Sequence, residues 1–475
     1  NTTGANNTAV GGSSLAANTT ADSNTGIGYF SLAANTTGSS NTALGKGTVR
    51  SNTTGTNNTG IGFDCMNGNT TGSDNTAMGS NALISNSTGG SNTAVGKQAL
   101  QSNTTASNIS AFGFDALKSN TTGSTNTALG SNALDANTTG GSNLAVGNSA
   151  LGANTTASNN TAVGINSQAD NITGTQNTSV GTRALEDNTS SNDNTAVGYA
   201  SLLVNTAANN TGVGSFTLVN TTSGANNTAV GKSALGANTT GEKNVAVGAN
   251  AADGLTTANR NTAIGNFCMG NGTITGSNNT AVGDNAARSL TSGTINTVIG
   301  HEAGYNLTTG DNNTLIGHDA GTANSPSGNQ VTGSNVVCLG DNNVQFLCAA
   351  TSTITTSDAR DKTDVQDFSQ GLSWINSLRP VTYKWDRRSW YGTKEEPYGT
   401  PDGSKKQSRT HVGFLAQEVL EIEKANGYGD NNDNSLLVTL NNDGMGYGIG
   451  YERLVPMLVN AIKELSTKVT ALEAG

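Results

Sequence analysis

The sequence predicts an all-β repeat rod, a β-solenoid or β-roll of 17-residue coils over residues 1–340, followed by a small α+β domain that ends in a coiled coil. Three observations predict it. A five-residue unit of the type N-T-A-V-G recurs at a fixed interval through the first 340 residues. The composition changes abruptly near residue 357. The last 25 residues carry a heptad pattern of apolar side chains.

The rod is read from the glycine that closes each unit. It falls at 11, 28, 45, 62 and 79, and continues through 300 and 317 to 340, with a spacing of 17 broken by single steps of 16 and 18 and a longer last step. A fixed period near 20 marks stacked-repeat architectures. The residue before each glycine is apolar every time, as in Val10, Ile27, Leu44, Ile61, Met78, Val95 and Phe112. Three residues after it stands a small residue, such as Ala82, Ala99 or Ala116, and then usually Leu or Met. Runs this short, separated by turn residues, do not make helices. β-Branched residues flank the apolar site, and Gly and Asn suit positive-φ turns. Each repeat is therefore expected to be one coil with two short strands and a thin core of small side chains. Asn and Thr at fixed positions would stack into hydrogen-bonded ladders. About twenty coils rising roughly 4.8 Å each would give a rod on the order of 90 Å.

Many coils contain N-x-T, as at Asn35-Thr36-Thr37 and Asn69-Thr70-Thr71. In a glycosylating compartment these would be acceptors. The turn-and-ladder reading is preferred, because the pattern follows from the repeat itself.

Bulk composition excludes several classes. Net charge is −10 and there is no basic run, so binding to nucleic acid through phosphate neutralisation is not expected. No stretch approaches the ~20 apolar residues of a membrane span, so no membrane insertion is expected. The chain opens on NTTGANNTAV, inside a repeat and without Met, so targeting is not judged from it. Cys65, Cys268, Cys338 and Cys348 form no C-x-x-C pair and have no histidine at ligand spacing, so neither a metal nor another cofactor is expected. Cys65 and Cys268 fall in the small-residue slot of the repeat and read as buried packing residues. GDNNDN at 429–434 resembles the start of a calcium loop but lacks its later Gly and Glu, and reads as a surface turn.

Residues 1–357 hold 9 Lys+Arg and 16 Asp+Glu, whereas the 118 residues that follow hold 14 and 17. All three tryptophans, Trp374, Trp385 and Trp390, lie after the junction. Residues 341–357 are therefore expected to be a neck, and 358–475 a separate domain. GLSWINSLRPVTYKW suggests a short helix ended by Pro380 and then a strand. VGFLAQEVLEIEKA suggests a second helix. Over 451–475, Val455, Ile462 and Val469 share one heptad position and Tyr451, Leu458, Leu465 and Leu472 the other, which argues for a coiled coil and an oligomer. Trp374 and Trp385 are expected in a core rather than on a ligand platform.

The coils resemble the β-roll heads of trimeric autotransporter adhesins and the repeats of phage tail fibres. The order SDARDK, LSWINSLRPVTYKW, HVGFLAQEV, YERLVPMLVNAIKEL resembles the C-terminal intramolecular chaperone of phage endosialidases, tail spikes and tail fibres, over about 358–475. That resemblance implies a homotrimer, since the family's domain assembles the fibre before it and then cuts itself off. It implies cleavage between Ser357 and Asp358, with Ser357 as nucleophile, Lys362 as base and Asp358 orienting the bond or the lysine. A serine hydroxyl needs a base to attack a carbonyl, and a lysine serves when burial or a neighbouring cation, such as Arg360, lowers its pKa. Such an enzyme would be at most a single-turnover serine peptidase acting on itself. A virion tail or extracellular location follows, with a host cell-surface glycan or protein as the receptor. Gln417 and Glu418 match the family's AQEV, a packing and interface motif.

Two other classes compete. A bacterial adhesin or structural surface filament would need a membrane anchor. A glycan-degrading spike would need a carboxylate pair, and none stands out against the repeat.

Overall fold

The computed structural model describes residues 1–344, 362–392, 396, 398–440 and 446–474. The chain forms two compact units, 1–285 and 286–475.

The first unit is a parallel β-solenoid of seventeen three-residue strands, from β1 (Thr8–Val10) to β17 (Thr280–Val282). Successive strands pair in parallel with a constant offset of one coil: Thr76, Ala77 and Met78 lie opposite Thr93, Ala94 and Val95. Each coil contains one strand rather than the two expected. The coil from Thr93 to Ile109 shows why. After the strand, Gly96 takes φ 137°, and a Cβ there would lie 2.2 Å from the Gly113 carbonyl oxygen, so only glycine closes the coil against the next. Gln98 and Leu100 then adopt left-handed φ of 58° and 54°. Left-handed residues two positions apart curl this arm, so it is not extended strand. It still bonds between coils, the Leu100 N–H donating to the Ala116 carbonyl at 2.9 Å.

The core is thin, as the small residues predict. The middle residue of each strand points inward and is usually alanine; Ala94, Ala99 and Leu100 are all fully buried. The apolar residue before each glycine points outward: Val10, Leu44, Met78 and Leu129 are 45–56% exposed.

The asparagine ladders are present. Asn154 donates its amide to Asn137 Oδ1 at 2.8 Å, Asn137 does the same to Asn120 at 2.8 Å, and Asn137 also donates to the Gly140 carbonyl at 3.0 Å. A second column runs through Asn126, whose Oδ1 accepts from the Asn143 N–H at 2.9 Å. Thr138 Oγ1 donates to the Thr155 carbonyl at 3.1 Å. Asn35 and Asn69 of the N-T-T triplets are fully buried, their amides spent on the ladder and on turn carbonyls. This is the turn-and-ladder role.

The second unit opens with three more parallel strands, β18 (Thr297–Ile299), β19 (Thr314–Ile316) and β20 (Val337–Leu339). Helix α1 (Leu372–Ser377) follows, then β21 (Val381–Tyr383), β22 (His411–Gly413), α2 (Ala416–Ala425), β23 (Val438–Leu440), β24 (Tyr447–Ile449) and α3 (Leu454–Glu473). β21 pairs antiparallel with β22, and β23 with β24. The short helix, strand and second helix stand where the sequence places them.

Trp374, Val419, Leu437, Val438, Leu454 and Met457 form the core of this part. Trp374 is 2% exposed and meets Tyr428 edge-on with centroids 6.4 Å apart. Trp385 is not a core residue: it is 36% exposed, with the Arg387 guanidinium 4.2 Å over its ring.

Candidate functional site

The junction is approached from its C-terminal side. Ser357, Asp358 and Arg360 lie outside the described residues. Lys362 is described and exposed in the single chain.

The elements behind the junction are tied to the last helix. Asn460 donates its amide to the Phe368 carbonyl at 2.6 Å and to the Gln370 carbonyl at 3.3 Å. Glu464 Oε2 accepts from the Leu372 N–H at 3.3 Å, placing a carboxylate at the start of α1, whose own N-cap, Gly371, has no side chain to offer. α3 thus holds the segment leading out of the junction by side chains about ninety positions away in sequence.

Arg379 and Glu418 form a bidentate pair between the chain leading into β21 and the first turn of α2, one of its bonds measuring 3.1 Å. The partner guanidinium holds the Glu418 carboxyl below its ordinary value and Glu418 holds Arg379 above its own. Both side chains are exposed, so water screens the pair and it orients more than it stabilises. Gln417 and Glu418 lie on α2 as expected, and Glu418 finds its partner within the same chain.

Glu423 was not singled out in the sequence. It is fully buried on α2 and accepts from the Ser435 hydroxyl at 2.8 Å and from the Leu437 and Val438 N–H groups, the latter at 3.3 Å. It fastens the loop that leads into β23. Its place in the run EIEKA gives no sign of this, because the partners, one hydroxyl and two backbone N–H groups, lie more than ten residues on.

The turn at 430–434 satisfies itself. Asn431 Oδ1 accepts from the Asp433 and Asn434 N–H groups at 2.9 and 3.1 Å, and Asn432 bonds both backbone groups of Leu440. These oxygens are committed to the turn.

The last coil also meets the helical part of its unit. Asn342 donates to the Ser389 hydroxyl at 2.9 Å and accepts from Arg387. His318, Asp319, Asp341, Asn342, Ser389 and Trp390 line the cleft that results.

α3 has two faces. Leu454, Met457 and Ala461 are buried, whereas Val455, Leu458, Ile462, Leu465, Val469 and Leu472 are 43–81% exposed. These exposed residues are the predicted heptad seam. Tyr451 departs from it: it lies in a 3₁₀ turn, Tyr451–Arg453, and its hydroxyl accepts from the Phe414 N–H at 3.1 Å. The helix itself begins at Leu454, with Pro456 in its first turn, where a missing N–H costs nothing.

Residues 357–428 match the protein-family model Peptidase S74, chaperone of endosialidase. The match begins at Ser357 itself and runs through α2. Stacked coils followed by an endosialidase-type chaperone segment support the resemblance to a tail fibre or tail spike. Comparison with curated proteins and with solved structures found no match.

Proposed function

We propose that this chain is a structural and receptor-binding tail fibre or spike, residues 1–340 forming the fibre, 341–357 the junction and 358–475 a chaperone that drives homotrimer assembly and then cuts itself off between Ser357 and Asp358. The observation that carries the reading is the chaperone match, which starts at the proposed nucleophile, at the end of the junction that follows the repeat. The exposed seam of α3 suits a coiled coil between copies.

In the proposed step Lys362 takes the proton of the Ser357 hydroxyl, and the hydroxyl attacks the Ser357–Asp358 peptide carbonyl. Asp358 orients the bond or the lysine; the C–N bond breaks as the peptide nitrogen takes the proton held by Lys362, and water then hydrolyses the resulting serine ester to the free carboxylate. A base of this kind needs a lysine kept neutral by burial or by a neighbouring cation. Lys362 is exposed in the single chain, so the desolvation would come from neighbouring copies. Cleavage would then follow assembly and report it. A cell-surface glycan or protein is the proposed receptor.

Ser357→Ala tests the chemistry. On a denaturing gel the natural sequence should yield a fragment of residues 358–475, and the variant should stay full length while keeping its native mass. Persistent full-length natural protein after trimer formation removes the self-cleavage claim.

A further inference from the structure

We infer that the outward-facing residue before each closing glycine forms one continuous surface on which the rods of neighbouring copies pack against each other. The inference rests on the homotrimer reading above and names the part of the rod that makes the contact.

All seventeen strands of the first unit end on an apolar residue, from Val10 through Phe112 and Val180 to Val282. None of these seventeen side chains is buried; Val10, Leu44, Met78 and Leu129 are the most open. Strands pair in register, so the side chains stand directly above one another as an unbroken column. An outward strand position on a water-facing sheet normally alternates to polar residues. Threonine fills the other outward position of most of these strands, so the backbone does not itself demand an apolar residue two places later.

Size and charge argue for a copy of the same chain as the occupant. If each coil leaves on the order of 50 Å² of apolar side chain open, seventeen give about 850 Å², comparable with the roughly 800 Å² that one partner contributes to a standard interface. Single apolar residues on a surface mean little, but a contiguous strip of this area marks an interaction site. Residues 1–285 carry only eight Lys+Arg and twelve Asp+Glu, a net of four negative charges, so like rods repel weakly. The strip contains no charged residue, offering nothing for a charged partner to read. Its repeat of one coil is matched by an identical rod alongside. The exposed seam of α3 has the same character: an apolar row on the same chain, best covered by its own copy.

The test uses the full chain with Val180→Cys or Val230→Cys, 38% and 36% exposed, and Thr240→Cys on the N-T-T turn as control. Each is treated with a short bismaleimide, with the natural chain and its own four cysteines as background. The expected result is covalently joined chains from both strip variants and none above background from the turn variant. Two strip positions guard against one failing to fold, judged by unchanged circular dichroism. A trimer by light scattering with no strip cross-link overturns this surface and leaves the assembly reading standing. A monomer by light scattering overturns both. Equal cross-linking from the turn also overturns the assignment.

Discussion

Leu100 shows what the rod asks of a single residue. It sits at φ 54°, where bulky side chains are rare, and the same conformation recurs at Leu83, Leu117, Leu134 and Leu151. Burial holds it there: each of these leucines is fully buried, which is worth about 1.5–3 kcal/mol per side chain against strain of about 1–3. Two coils carry cysteine in the small slot beside this arm. Cys65 and Cys268 donate to the Ala77 and Ala281 carbonyls at 3.2 Å, and burial pushes both thiols up to about 12 from an ordinary 9.0. Because the folded value lies above the unfolded one, the neutral thiol's contribution is complete below pH 9 and is lost as pH rises toward 12. Both thiols should stay unmodified by a maleimide at pH 8 in the folded protein and react at once after denaturation, as read by peptide mass spectrometry. The unfolding midpoint should fall above pH 9. Labelling of the folded protein at the rate of a free thiol would contradict this.

At the scale of the coil, the ladder and the leucine exchange places. Through most of the rod a coil buries Leu and, three residues on, Asn, as in Leu134 and Asn137. Where the ladder residue becomes leucine the earlier one shrinks, giving Ala252 with Leu255, Ala287 with Leu290 and Gly304 with Leu307. A Cβ at Gly304 would lie 3.0 Å from Val298 Cγ1, so the wider strand residue has also taken the vacated space. The coil thus holds a fixed volume, and overfilling it costs about 1–3 kcal/mol. Asn137→Leu should therefore destabilise through crowding against Leu134 and through the ladder bond that Asn154 loses while keeping its bond to the Ala157 carbonyl, and Leu134→Ala added to it should recover at least ~1 kcal/mol relative to additivity. Denaturant midpoints of the two single variants and the double variant measure this, and strict additivity would refute the exchange. The coil period, the closing glycine and the ladder were legible because their signals are local and repeated. The single strand was not, since left-handed leucine has no propensity signature. The outward direction of Val10 and its equivalents was hidden because an apolar residue reads the same whether it faces a core or a partner. The proposed role of Lys362 rests on its motif alone, and the buried place of Glu423 was not legible at all, because its partners, the Ser435 hydroxyl and two backbone N–H groups, lie more than ten residues on.

For the whole chain, the same regularity that makes the rod readable makes it hard to fold. Thr76, Ala77 and Met78 pair with Thr93, Ala94 and Val95, but most other strands of the rod offer a similar edge of threonine, a small residue and an apolar one. Register is weakly specified when neighbouring strands are interchangeable, and slipped pairings bury nearly the same core. Stacked repeats can nucleate anywhere and propagate from there, so misaligned stretches would form early and persist. The proposed chaperone would supply one fixed starting point. After guanidinium unfolding, chains retaining residues 358–475 should therefore regain native mass and strand content in clearly higher yield than chains that lost them after assembly. Before unfolding, both forms should resist denaturant alike, because the finished stack no longer needs its starting point. Light scattering and circular dichroism after dilution measure the yields. Equal recovery from both forms would mean that the coils find their own register and that the C-terminal unit does something else.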